Sequence, residues 1–215
     1  MLILKKSEML SLYPKLEEKI RRVLNQKISE ERKFVLKTLI EYIQIKLLEN
    51  NEVYLNFICT HNSRRSQFSQ IWAHTAAAYY EIKTHCYSGG IEVTAFNPRA
   101  VAAIKRSGFK VRSTKVDNPH YRVSYNDQDQ PVTVFSKLFD HPLNHTPSFA
   151  AIMTCSHADI NCPFIPGAEK RVTIRYEDPK AFDDSPQETK KYDKCELQIA
   201  SELFYVFKKV SQKKE

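Results

Sequence analysis

The sequence has no run of about 18 apolar residues, so no transmembrane helix is expected. Its first ten residues, MLILKKSEML, lack the long apolar stretch and small-residue cleavage site of a signal peptide. No CxxC pair and no cysteine–histidine grouping has zinc-ligand spacing, which argues against a zinc site. The five cysteines, Cys59, Cys86, Cys155, Cys162 and Cys195, are odd in number and scattered. That pattern fits a reducing cytoplasm, where a cysteine is structural, metal-binding or reactive. Glycine is scarce as well, with four residues in the chain, and the segment CTHNSRRS (59–66) contains none. The turn there must rest on another residue type.

The 215 residues are enough for one well-buried domain with some length to spare. An ordinary charged fraction and plentiful aromatics mark a globular chain and exclude a disordered one. The formal net charge of +8 favours anionic ligands, but part of it lies in the C-terminal KKVSQKKE (208–215), which reads as a solvated helix end. Neither a nucleic-acid partner nor a membrane is expected.

Residues 1–50 read as a helical N-terminal extension. Pro14 suits a first helical turn, with Leu16, Ile20, Val23 and Leu24 following on one face. Ser29 is an N-cap for a second helix whose stripe is Leu36, Leu39, Ile40, Ile43 and Leu47. Such a pair packs as a hairpin on the main domain or on a second copy of it. Residues 51–215 read as the main domain. VYLNFIC (53–59), THCYSGGI (84–91), FAAIMTC (149–155) and RVTIRYEDP (171–179) read as strands. Helices are predicted over 65–80, from near Pro98 to Gly108, and along the C-terminal segment, with Ile199, Leu203, Val206 and Phe207 facing inward.

This alternation predicts an α/β fold of three layers, a mostly parallel central sheet with helices on both faces. Chemistry in such folds collects at the C-terminal ends of the strands, and Cys59, Cys155 and Asp178 all fall at predicted strand ends. Residues 118–148 break the alternation and read as an inserted hairpin or long loop beside the site.

The cysteine loop carries the chemistry. A free thiol is mostly protonated at neutral pH and weakly reactive. Loop N–H groups, a helix N-terminus and an arginine around it favour the thiolate, and the same donors bind a tetrahedral oxyanion. Arg65, six residues after Cys59, can fold back as a bidentate fork. Ser66 can donate to the sulfur, and Asn62 tolerates the left-handed backbone that a glycine-free turn needs.

FICTHNSRRSQFSQIWA (57–73) resembles the C-x5-R-S signature of the low-molecular-weight phosphotyrosine phosphatase superfamily, and more closely the thioredoxin-coupled arsenate reductases that share its fold. The resemblance continues through YSGGIEVTAFNPRAVAAIKRSGFKV and resumes from AIMTCSHADINCP to the C-terminal helix. It implies a catalytic domain over 51–215, interrupted at about 118–148, with Cys59 as nucleophile and Arg65 as oxyanion clamp. Thr60, His61, Asn62, Ser63, Arg64 and Ser66 would complete the oxyanion-binding loop, and Asp178 of EDP would be the general acid. His61 stands where the family usually has glycine, placing a bulky, titratable side chain at the pocket; Arg64 replaces a residue that is often cysteine.

A phosphatase of this type needs one cysteine, whereas an arsenate reductase needs more. Cys155 and Cys162, seven apart on a polar segment, are similar to the family's resolving pair. The implied relay runs from Cys59 to Cys155 to Cys162, with thioredoxin as electron donor and no bound cofactor. Cys86 and Cys195 read as structural. Asn62, Ser88 and Asp117 match positions of a potassium site in related reductases, but Gln70 stands where an acid is expected. The alternative is a phosphatase acting on a phosphotyrosine protein or small phosphoester through Cys59, Arg65 and Asp178 alone. A non-catalytic phosphate sensor would not need that set of three.

Overall fold

The computed structural model describes residues 10–114, 116–144, 148–162 and 164–212. A four-stranded parallel sheet forms its centre, in the order β2 (His85–Gly90), β1 (Tyr54–Cys59), β6 (Phe149–Met153), β7 (Ala168–Thr173). Each central strand is buried on both faces, which explains why YLNFIC and FAAIM read as continuous apolar runs rather than alternating ones.

The two faces are covered unequally. Leu55, Phe57, Ala150 and Ile152 face the larger core, built with α1 (Pro14–Leu24), α2 (Glu30–Leu48), α3 (Arg65–Tyr79), α4 (Pro98–Arg106) and α6 (Glu188–Ser211). Trp72, Phe204 and Phe207 are fully buried within it. Ile58, Ala151 and Met153 point the other way, into a small cluster closed by Ala158 of the short α5 (Ser156–Asn161) and by Ile165. Helices thus lie on both faces of a parallel sheet, and the thinner layer holds Cys59 and Cys155.

The N-terminal helices belong to the large core. Pro14 opens α1 and Ser29 caps α2 by accepting from the Arg32 amide. Leu16, Ile20, Val23, Leu36, Leu39 and Ile43 are buried. Leu24 departs from its expected stripe and is 40% exposed, because α1 ends there. Ile40 and Leu47 are only partly buried. Polar anchors fix both helices to α6. Lys19 pairs with the fully buried Glu196 at 3.2 Å, and Arg32 grips Glu202 with two bonds of 2.9 and 2.6 Å. Burial raises the Glu196 carboxyl above its ordinary range, while Lys19, Ser107 and the Trp72 indole N–H oppose that rise. Removing one member of a buried pair strands the other, at about 3–5 kcal/mol. Lys19→Met is expected to cost about 3 kcal/mol, since Trp72 and Ser107 still bond Glu196. The midpoint of urea unfolding measures it.

The segment expected as an inserted hairpin or long loop contains a hairpin, and two other elements differ from the sequence expectation. Residues 118–148 supply β4 (Tyr121–Ser124) and β5 (Val132–Val134), which pair antiparallel with β3 (Lys110–Ser113), a strand that precedes the segment. Positions 145–147 lie outside the described residues. β7 runs over Ala168–Thr173 and not to residue 179, so Asp178 lies five residues past the strand. The backbone between them stays tied to β6 through Ile174 N–H to Met153 O and Tyr176 N–H to Thr154 O. The polar segment after Cys155, for which no helix is predicted, is the helix α5.

Candidate active site

β1 delivers Cys59 to the C-terminal edge of the sheet, and the chain then turns through 60–64 into α3. The turn is made without glycine because Asn62 takes the left-handed conformation, φ 46°, which asparagine tolerates better than most residues. The Asn62 amide also donates to Ser66 Oγ at 2.8 Å, and Ser66 Oγ lies 3.0 Å from Cys59 Sγ. When Cys59 is a thiolate the sulfur has no proton to give, so the Ser66 hydroxyl is then the donor of this bond.

The loop is braced from outside. Thr60 O accepts from the Ile91 and Glu92 amides, and His61 O accepts from Ser136 Oγ at 2.8 Å. Asn62 Oδ1 accepts from the Lys137 amide, and Asn62 O from Gln67 Nε2. Ser63 O accepts from the Asn97 amide, and its hydroxyl donates to Ala95 O. Gly90 sits so close beneath that a Cβ there would come within 2.8 Å of both Asn62 N and Thr60 O, which requires glycine at this position.

Arg65 and Asp178 are brought together. Arg65 Nη2 donates to Asp178 Oδ2 at 2.5 Å and Nη1 to Tyr176 O at 2.9 Å. The buried Arg65 Nε has no partner among the described residues, so one donor of the fork is free for a bound anion. Asp178 also caps the short turn Pro179–Phe182 through the Lys180 amide.

Cys155 lies beside the loop. The register Ile58↔Met153, continued by Thr154 N–H to Ile58 O, sets residues 154–155 against residues 59–60. Cys155 Sγ is 3.4 Å from Thr60 Oγ1 and accepts from the Ala158 amide at 3.4 Å, capping α5. Cys162 caps the other end, half-buried, with its thiol directed at Phe164 O. Ile160 and Phe164, 67% and 75% exposed, flank it.

His61 turns to Glu92, 3.1 Å away, and lines a cleft beside the loop. Arg64 neither faces solvent nor joins the anion site. Its Nε donates to Tyr192 Oη at 2.9 Å and its Nη2 reaches Asp183 at 3.4 Å, because α6 and the turn before it present those acceptors. The three positions matched to a cation site, Asn62, Ser88 and Asp117, are placed as follows. The Asn62 amide is bonded at both ends, Ser88 Oγ donates to Gln70 Oε1 at 2.6 Å, and Asp117 is exposed.

Cys86 and Cys195 lie in strand and helix interiors. Burial pushes both thiols up, Cys195 to about 12, which keeps them neutral and unreactive. Lys137 was not evident from sequence. Its backbone braces Asn62 and Gly90, while its buried ammonium, without a hydrogen-bond partner among the described residues, is lowered by burial to about 8. Beside the loop a cleft of about 320 Å³ runs between His61, Ser63, Thr94, Pro98 and Lys180.

No family model matches the chain. Over 123 residues, 57% of this chain and 76% of the relative, it is 31% identical to "Arsenate reductase 2" of Staphylococcus epidermidis. An arsenate reductase of Staphylococcus aureus matches at the same identity and coverage. The solution structure of a low molecular weight protein tyrosine phosphatase from Bacillus subtilis superposes with a TM-score of 0.50 at 14% identity, over 76% of this chain and all of that one.

Proposed function

Because the chain belongs to the arsenate reductase family, within the low-molecular-weight phosphotyrosine phosphatase superfamily, we propose that it reduces arsenate through a relay of Cys59, Cys155 and Cys162, with thioredoxin as electron donor. The observation that supports this best is the contact of Cys155 Sγ with Thr60, the residue directly after Cys59.

In the first step the Cys59 thiolate attacks arsenic(V), held by the loop N–H groups and the Arg65 fork. An As–O bond breaks, and the oxygen leaves as water with a proton from Asp178. The Cys155 thiolate then attacks Cys59 Sγ. A disulfide forms, the S–As bonding pair stays on arsenic, and arsenic(III) departs as arsenite. Cys162 next attacks Cys155 Sγ and releases Cys59 as thiolate. Reduction of the Cys155–Cys162 disulfide by the thioredoxin dithiol returns the starting state.

The third step requires α5 to unwind. Seven residue steps of helical rise separate the two Cα atoms by about 10 Å, beyond the roughly 7 Å that a disulfide spans. A six-residue helix has little stability of its own. Its hold is Asp159, which bonds Arg171, Arg175 and Thr173, while Arg171 also bonds Cys162 O. Burial raises the Asp159 carboxyl, but Arg175, Arg171 and Thr173 outweigh it and leave the group below the ordinary range. The exposed Ile160 and Phe164 beside Cys162 give a protein reductant an apolar surface to approach.

A second reading, hydrolysis of a phosphotyrosine protein or aryl phosphate, is favoured by the cleft beside the loop, which exceeds what arsenate alone fills. One assay pair separates the two. Cys155→Ser and Cys162→Ser are expected to lose thioredoxin-dependent arsenate turnover by about 10³-fold, since a serine cannot take part in disulfide exchange. Both should keep Cys59-dependent aryl-phosphate hydrolysis. Full arsenate turnover in either variant would exclude the relay.

A further inference from the structure

Cys155 is reached by a side chain that the relay does not use. His157, exposed on the first turn of α5, places Nδ1 3.3 Å from Thr60 Oγ1, and the same oxygen is 3.4 Å from Cys155 Sγ. A threonine hydroxyl has one proton to donate and lone pairs to accept, so it can link a proton donor to an acceptor. We infer that His157 is the proton acceptor for Cys155, acting through the Thr60 hydroxyl. This role rests on the proposed use of Cys155 as the second thiol of the relay.

The proton balance closes within the chain of three groups. At first the Cys155 S–H donates to Thr60 Oγ1, and the Thr60 O–H donates to the neutral Nδ1 of His157. As the thiol ionises, Oγ1 takes the sulfur's proton and passes its own to Nδ1. The thiolate then accepts from Thr60 Oγ1 and from the Ala158 amide, and the proton stays on the imidazolium beside it at the surface. The thiolate formed this way is the species that attacks Cys59 Sγ.

The geometry gives the direction of transfer a reason. Cys155 is 1% exposed, so water cannot readily take its proton, whereas His157 lies at the surface. Other ionisable groups on the surrounding elements are Cys59 at the end of β1, His61 with Glu92 across the loop, and Asp159 on α5 itself. Asp159 is held by Arg171 and Arg175 near β7. Histidine is the residue type here whose ordinary range lies near neutral pH, and of the two histidines His157 is the one that contacts Thr60 Oγ1 while His61 pairs with Glu92.

The test reads Cys155 directly, without arsenate. In a full-length Cys59→Ser/Cys162→Ser background, the rate of alkylation by iodoacetamide is followed against pH, with the further Cys155→Ser variant as blank for Cys86 and Cys195. Adding His157→Gln is expected to slow alkylation at pH 7 about tenfold and to move the midpoint of the profile up by about one unit, the effect of losing a nearby positive charge. Thr60→Val should produce the same shift, and the two changes together no more than either alone. A profile unmoved by His157→Gln overturns the inference, and additive losses overturn the route through Thr60. Its failure is separable from failure of the relay. If Cys155→Ser keeps arsenate turnover while the alkylation profile still depends on His157, the relay is wrong and the proton path stands.

Discussion

Cys59→Ser is expected to abolish arsenate reduction and aryl-phosphate hydrolysis together, by about 10⁴-fold or more in kcat, the scale on which losing a nucleophile leaves only binding and electrostatics. Both proposed reactions begin with attack by the same sulfur, so no variant should separate them at this step. Oxygen in place of sulfur keeps the shape but not the anion. A serine hydroxyl ionises far above the range of a thiol, and a single hydrogen bond from Ser66 does not close that gap. The fold should survive, because the loop is fixed by Asn62, Ser136, Gly90 and Asn97 and not by the sulfur. Unchanged circular dichroism and urea midpoint, with activity at background, is the expected pair of results. Retention of either activity would remove Cys59 from the centre of the site.

The site was legible in sequence where its geometry is local. An apolar run ending in Cys59, a glycine-free turn and a helix beginning at Arg65 fix the loop over a few residues, and Asn62 takes the left-handed backbone that the turn required. Contacts that depend on packing were not readable. Nothing near Arg64 reveals that Tyr192 and Asp183, more than a hundred residues on, will capture its guanidinium. The Thr60–Cys155–His157 contacts follow from the β1–β6 register, which no local pattern encodes.

The same distinction explains the displaced boundaries. RVTIRYEDP has the apolar spacing of a strand to its end, but the ladder partner β6 stops at Met153, and past that point only isolated bonds continue. The segment SHADIN has neither the length nor the apolar stripe of a helix. It becomes one because Cys155 caps it, Ala158 reaches the small core, and two arginines hold Asp159. The amphipathic N-terminal pair is legible in sequence, but its anchors, Glu196 and Glu202, are buried acids that no local pattern singles out.

Arg65→Lys is expected to lower kcat/KM for arsenate or an aryl phosphate by about 10²–10³-fold, with charge conserved, while Arg64→Lys changes it less than about tenfold. The guanidinium at position 65 makes three separable uses of one plane: Nη2 to Asp178, Nη1 to the Tyr176 carbonyl, and an unpartnered Nε left for the anion. A lysine carries one compact charge on a flexible stem, so it cannot place Asp178, bond the Tyr176 carbonyl and hold the anion at once. Losing the placement of Asp178 should appear in kcat, because the general acid acts in the bond-breaking step; losing the fork should appear in KM as well. Arg64 is the built-in control, one residue away, similarly buried, but bonded to Tyr192 and Asp183 outside the anion site. If charge near the loop were all that mattered, the two substitutions would leave activity equally intact. If Arg64 were the clamp, the order would reverse. A large loss confined to position 65 is the outcome that ties the oxyanion to this arginine and, through it, Asp178 to the chemistry.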